Sequence, residues 1–330
     1  MGATVILDNQ LQRRTELGSW VLNPKLQLRR FTEAGEIDEN DWSIDMQVNQ
    51  KWQTRSLEAS ATIDNDSTLV ADFGSTGFVD RSARRQERGV RLGLVQAFSD
   101  RFAARVDASY NRVTYPGETS TALVAYEIAR LGVSMQWLAS ERSQVTSTFT
   151  ASRVDPLDFD RRSHSAEAAV SWDTKVSERT HFRLSVGRNR TSVAGRRSDG
   201  ESFGVVVEHE TETAVMSLQL QKSLVPTGRG LLNESDEADL TYSRQFSPRT
   251  TASVGIRAIR LADVFPGVLT VSREYFSGTA IVDFRLREQL SLRVGLNERE
   301  QRYENVPNVA RGRQISLGFS WTPMQERISR

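Results

Sequence analysis

Arginine is the residue most able to do chemistry here. Of 43 basic side chains only Lys25, Lys51, Lys175 and Lys222 are lysine. Arg91, Arg105, Arg183 and Arg293 each lie a similar few residues from a short turn signal, which predicts one shared depth. A planar guanidinium fork binds carboxylates bidentately, so a belt of them would handle an acidic polymer or an anionic solute. With Arg130, Arg257, Asp107 and Glu167 they form the expected constriction and substrate path. By parity the same face carries nine cations, adding Lys25, Arg29 and Arg285. It also carries eight acids: Asp45, Glu58, Asp64, Asp107, Glu167, Asp173, Asp239 and Asp283. That near balance leaves a second reading open, in which the arginines pair across neighbouring strands and stiffen a wall.

Other chemistry is poorly supplied. The chain has no cysteine, hence no thiolate nucleophile, thiolate metal site or disulfide. The topology sends the histidines, His164, His181 and His209, to opposite ends, so no catalytic triad is expected. Asp155, Asp158 and Asp160 in "VDPLDFDRR" lack the glycine pattern of a dedicated calcium loop. The expectation is a non-enzyme with no cofactor and no metal. A net charge of +1 gives no case for nucleic acid.

The elements that must position these side chains are strands. Apolar residues alternate with polar ones in "WSIDMQV", "LEASATI", "FAARVDASY", "LGVSMQW", "LSLRVGL" and "ISLGFSW". Short turns fall at 53–56, 99–101, 140–142, 177–179, 209–212, 247–249 and 287–289. Longer loops fall between them, at 32–40, 65–87, 114–123, 154–164, 193–202, 225–236, 262–273 and 299–310. The pattern predicts about sixteen strands, with eighteen as the alternative count, from 19–31 to 312–322. The 65–87 loop carries Leu69, Val70, Phe73, Phe78 and Val79, which predicts packing on a rim or into a mouth.

Short turns at one end and long loops at the other predict an all-β, closed antiparallel transmembrane β-barrel. The short turns would be periplasmic and the loops extracellular. No apolar run approaches the ~20 residues of a membrane-spanning helix. A single barrel over 19–322 is expected, with periplasmic segments at 1–18 and 323–330. The opening "MGATVILDNQ" lacks a signal-peptide pattern, so the chain is either cytoplasmic or these are mature-chain residues whose signal has been removed; the barrel pattern favours the second. Trp20, Trp52, Trp137, Trp172 and Trp321 gather near the short turns, as an aromatic girdle would; Trp42 does not. A soluble propeller or solenoid would use such tryptophans as core, without the turn asymmetry. The apolar faces are therefore expected to meet outer-membrane lipid and lipopolysaccharide of a Gram-negative cell.

Two stretches carry a resemblance. "DNDSTLVADFGSTGFVDRSARRQERGVRLGLVQAFSDRFAARVDASYNRVTYPG" and "LVPTGRGLLNESDEADLTYSRQFSPRTTASVGIRA" resemble a family of outer-membrane β-barrel porins. Members of that family are often encoded beside exopolysaccharide synthesis and export machinery. The likeness spans about residues 19–321 and rests on turn chemistry and girdle residues. It implies an exit conduit for a secreted polysaccharide, working with a periplasmic export protein. Residues 1–16 and 322–330 would be its docking segments. "GFSW" resembles the aromatic ending of such barrels, except that "TPMQERISR" follows it. A general diffusion porin for small solutes, and a closed structural or adhesive barrel, are the competing expectations.

Overall fold

The computed structural model describes residues 2–31, 39–68, 83–117, 123–158, 162–226, 232–264, 272–303 and 309–321. Every element among them is a strand, and all belong to one antiparallel sheet of eighteen. The first nine strands are β1 (Gly2–Asp8), β2 (Leu11–Arg14), β3 (Gly18–Phe31), β4 (Glu39–Lys51), β5 (Arg55–Ser67), β6 (Arg84–Ala97), β7 (Phe102–Thr114), β8 (Tyr126–Ser140) and β9 (Ser143–Pro156). The rest are β10 (Ser163–Ser177), β11 (Thr180–Val193), β12 (Arg196–Glu210), β13 (Ala214–Pro226), β14 (Leu232–Ser247), β15 (Thr250–Asp263), β16 (Arg273–Arg287), β17 (Leu290–Tyr303) and β18 (Ala310–Trp321). Strands β3 to β18 fall on the sixteen alternating segments of the sequence.

Residues 2–14 differ from the expected segment outside the sheet. They run along β3, with β1 opposite Lys25–Phe31 and β2 opposite Ser19–Leu22. Consecutive apolar residues Val5, Ile6 and Leu7 hide any alternation there. The break between β1 and β2 lies at Pro24, whose carbonyl accepts from the Asn9 N–H at 3.2 Å but which has no N–H to return.

The short turns use the hydroxyls that mark them in the sequence. Ser99, Ser140, Ser177 and Ser247 each accept the backbone N–H two residues on, at 3.2–3.3 Å. One expected long loop, 193–202, is instead a tight hairpin turn. Ala194 and Gly195 join β11 to β12 with φ of 49° and 83°, the left-handed pair that suits a two-residue hairpin. Alanine at the first position masks the usual Asn-Gly signal.

The chain divides into two compact units. The first comprises Met1–Trp172, Ser185–Ser202 and Leu224–Glu234. The second comprises Asp173–Leu184, Phe203–Ser223 and Ser235–Arg330. In the first, β3 to β9 pair in chain order. In the second, β15 to β18 pair in chain order, and β12 pairs with β13 over Phe203–Glu210.

Burial is inverted relative to a water-soluble sheet. Leu94, Val106, Val133 and Phe149 stand in one register row across β6 to β9, and they are 45%, 43%, 38% and 53% exposed. The row on the opposite face is Gly93, Asp107, Gly132 and Thr150. Large apolar side chains thus take the open face, and charged ones take the other, polar face. A period-two pleat allows no other division.

Toward the long-loop end the polar face of the first unit becomes apolar. Val113, Tyr115, Leu123, Tyr126, Val154 and Leu232 form its buried cluster, with Ala83 and Ile128 packed against it. Of the 65–87 loop, Leu69, Val70, Phe73, Phe78 and Val79 lie outside the described residues. Its base is closed by Thr68, whose N–H donates to the Ala83 carbonyl at 3.0 Å and whose hydroxyl accepts from the Ala83 N–H at 3.0 Å.

Candidate functional site

The polar face of β6 to β9 carries a cleft of about 260 Å³ lined by Arg91, Arg105, Asp107, Ser109, Arg130, Ser134, Thr148 and Thr150, among others. Four of the sequence-predicted site residues, Arg91, Arg105, Arg130 and Asp107, therefore come together. Register explains how. Arg91 stands opposite Ser109, which stands opposite Arg130; Asp107 stands between Gly93 and Gly132 in the next row. Each position is odd on β6 and β7 and even on β8, so all project to one side.

Within the cleft the arginines behave differently. The Arg105 Nε donates to Asp107 at 2.7 and 2.9 Å, and its Nη2 donates to Asp107 at 2.8 Å and to Glu58 at 2.8 Å. Glu58 lies on β5, beyond β6, so the guanidinium must cross β6 to reach it. It crosses at Gly93, where a Cβ would stand 2.8 Å from Arg105 Nη2 and 3.0 Å from Asp107 Oδ1. Gly93 and Glu58 are thus part of the arrangement that the sequence did not single out as site residues. The signal was present but weak: Gly93 interrupts an apolar-alternating strand, a mark of close approach by another group. Arg91 and Arg130, by contrast, make no ion pair or side-chain hydrogen bond among the described residues. Their cross-strand neighbours on this face are hydroxyls: Ser60 and Ser109 for Arg91, Ser109 and Ser152 for Arg130.

The remaining predicted residues lie elsewhere and are mostly engaged. In the second unit Arg183 donates to Asp173 at 2.8 Å, Arg257 to Glu237 at 2.6 Å and Arg293 to Asp283 at 2.7 Å. Asp173 also bonds His181 at 2.6 Å, and the other ring nitrogen of that histidine lies 3.3 Å from Glu208. In the first unit Glu167 accepts from Ser202 at 2.6 Å. The side chain of Arg29 lies outside the described residues. Among the described residues no group of three or more acids, histidines or cysteines could hold a metal ion. Asp160 lies outside them.

The tryptophans sit on the apolar face or at the turns. Trp20, Trp52, Trp137, Trp172 and Trp321 are 38–67% exposed. Trp137 stands opposite Phe102 and Val145 near the 140–142 turn, and Trp321 stands opposite Leu290. An indole left this open beside a turn suits a ring that is half wet.

These features define a class: an antiparallel all-β sheet with an open apolar face and a charged, hydroxyl-bearing opposite face. Known structures of that class are similar to this chain. The copper transporter OprC matches with a TM-score of 0.56 at 12% identity, over 98% of this chain and 66% of its own length. BauA, the ferric preacinetobactin receptor from Acinetobacter baumannii, matches with 0.54 at 9% identity, over 97% and 65%. The FrpB iron transporter from Neisseria meningitidis matches with 0.52 at 8% identity, over 92% and 62%. This chain thus spans less than two thirds of the length of each. At such identities the likeness is one of fold: the sheet is of the kind that Gram-negative outer-membrane β-barrel proteins build. No family model and no curated protein matches the sequence.

Proposed function

We propose that the chain is an outer-membrane β-barrel transport protein of a Gram-negative cell. The supporting observation is the inverted exposure. Apolar rows such as Leu94, Val106, Val133 and Phe149 are open, while the charged rows lie on the opposite face. An eighteen-stranded sheet of this polarity needs lipid on one side and water on the other. Closing into a barrel would pair its last free backbone groups. The solved transporters that share the fold support a transport role.

The finer reading is an exit conduit for a secreted exopolysaccharide, with a periplasmic export protein on the short-turn side. It rests on the sequence resemblance and on a wall of hydroxyls, amides and paired charges that suits a hydrated chain of sugars. Residues 322–330 are the docking segment on this view; residues 1–16 would dock through β1 and β2, which border β3. A closed structural barrel is the second reading, favoured by the buried cluster Val113, Tyr115, Leu123, Tyr126, Val154 and Leu232.

Fractionation and a planar bilayer test the first level. The chain is expected to partition with outer membranes, to need detergent, and to give discrete conductance steps. A freely soluble chain would sink the membrane reading, and a folded but silent one would leave the closed barrel. Deleting the gene and assaying secreted polysaccharide tests the finer level, and normal secretion would reject it.

A further inference from the structure

We propose that Arg91 and Arg130 form a binding site for the carboxylate of an acidic saccharide. The proposal rests on the transport reading for its solute and on the cleft for its geometry.

The two arginines stand two strands apart in one row, with Ser109 between them. Adjacent strands are about 4.8 Å apart, so the two stems are separated by roughly 10 Å. Side chains of that length are long enough to reach a single group above Ser109, and both line the same cleft. Nothing else claims them: among the described residues neither has an ion-pair or hydrogen-bond partner. The acids nearest to them are already engaged, because Asp107 and Glu58 both accept from Arg105. Three guanidinium groups against two carboxylates leave the cleft one positive charge in excess.

Access is built in as well. Gly89 and Gly93 precede and follow Arg91 on the same face of β6, and Gly132 follows Arg130 on β8. The space over Gly93 is taken by the Arg105 guanidinium and that over Gly89 by the Asn111 side chain, but Arg91 and Arg130 are themselves exposed. The wall beside them carries Ser109, Ser134, Thr148 and Thr150. Hydroxyls both donate and accept, as sugar hydroxyls require, while two planar forks suit a carboxylate. A purely neutral sugar would not need the forks, and a bare inorganic anion would not need the hydroxyl wall.

The test uses the full chain folded in detergent, its strand content checked by circular dichroism. Calorimetric titration with trigalacturonate is compared with maltotriose and with sulfate. The site predicts binding of the uronate trimer, little of maltotriose, weaker binding of sulfate, and loss of affinity as sodium chloride rises. The double variant R91Q/R130Q is expected to weaken trimer binding by at least about tenfold, since each lost charged hydrogen bond is worth a tenfold factor or more. Either single variant should show an intermediate loss. Equal binding of trimer and maltotriose, equal binding of sulfate, or an unchanged double variant would overturn the proposal. A folded chain that binds the trimer but conducts nothing keeps the site and overturns the conduit. One that conducts but does not bind overturns the site alone.

Discussion

The two units treat the polar-face arginines singled out as site residues differently: Arg91, Arg105 and Arg130 in the first, Arg183, Arg257 and Arg293 in the second. In the second unit Arg183, Arg257 and Arg293 each reach a carboxylate on a neighbouring strand, and Asp283 is the direct register partner of Arg293. Of the three in the first unit only Arg105 is neutralised, by Asp107 and Glu58, while Arg91 and Arg130 face serines across the ladder; Arg85, outside the cleft, pairs with Asp66 and Glu87. An acid within reach, not the residue directly opposite, decides the difference: Arg105 stands opposite Val95 and Ser134 yet pairs with Asp107 two residues on and with Glu58. A carboxylate within the span of the arginine side chain sets whether a guanidinium ties the wall together or stays available to a ligand. Serine is too short and carries no charge to quench.

The comparison can be broken from either side. The largest effect is expected from removing both acids around Arg105, as D107N/E58Q. The cleft then holds three uncompensated cations, one of them mostly covered. Unfolding in denaturant should show a loss of roughly 1–3 kcal/mol, and the reversal potential in a salt gradient should move toward anions. Next comes S109D, which places an acid between Arg91 and Arg130 and makes the first unit resemble the second. Trigalacturonate affinity should fall at least about tenfold, with thermal stability unchanged or slightly raised.

A smaller effect is expected from G93A. The new methyl occupies the path of the Arg105 guanidinium, so the bridge to Glu58 lengthens or breaks. The cost should be about 1 kcal/mol, read by the same unfolding assay, and it should vanish in an E58Q background. The smallest is expected from D283N. Arg293 is 64% exposed at its side chain, so losing the pair should change stability by less than about 0.5 kcal/mol. A large loss there would mean that surface pairing, not register, separates the two units.

Much of the fold was legible in the residues because a pleated strand has one strict period. "FAARVDASY" sorts its apolar and charged side chains onto opposite faces whatever surrounds it, and the exposed Val106 and Tyr110 follow that sorting. The serine turns were equally readable, since a hydroxyl two residues ahead of a free N–H acts locally. Residues 2–14 and the turn at Ala194 and Gly195 were not. The first is defined by its pairing along β3, a contact between segments, and the second depends on a backbone conformation that alanine seldom signals.

For the site, parity correctly put Arg91, Arg105, Arg130 and Asp107 on one face, because parity belongs to each strand alone. That Arg105 is neutralised and its neighbours are not depends on register between strands far apart in the chain, such as Glu58 against Gly93. Composition by itself shows cations and acids in near balance on that face. Only the tertiary arrangement decides which of them meet, because pairing falls off within a few ångströms and strand registry sets that distance.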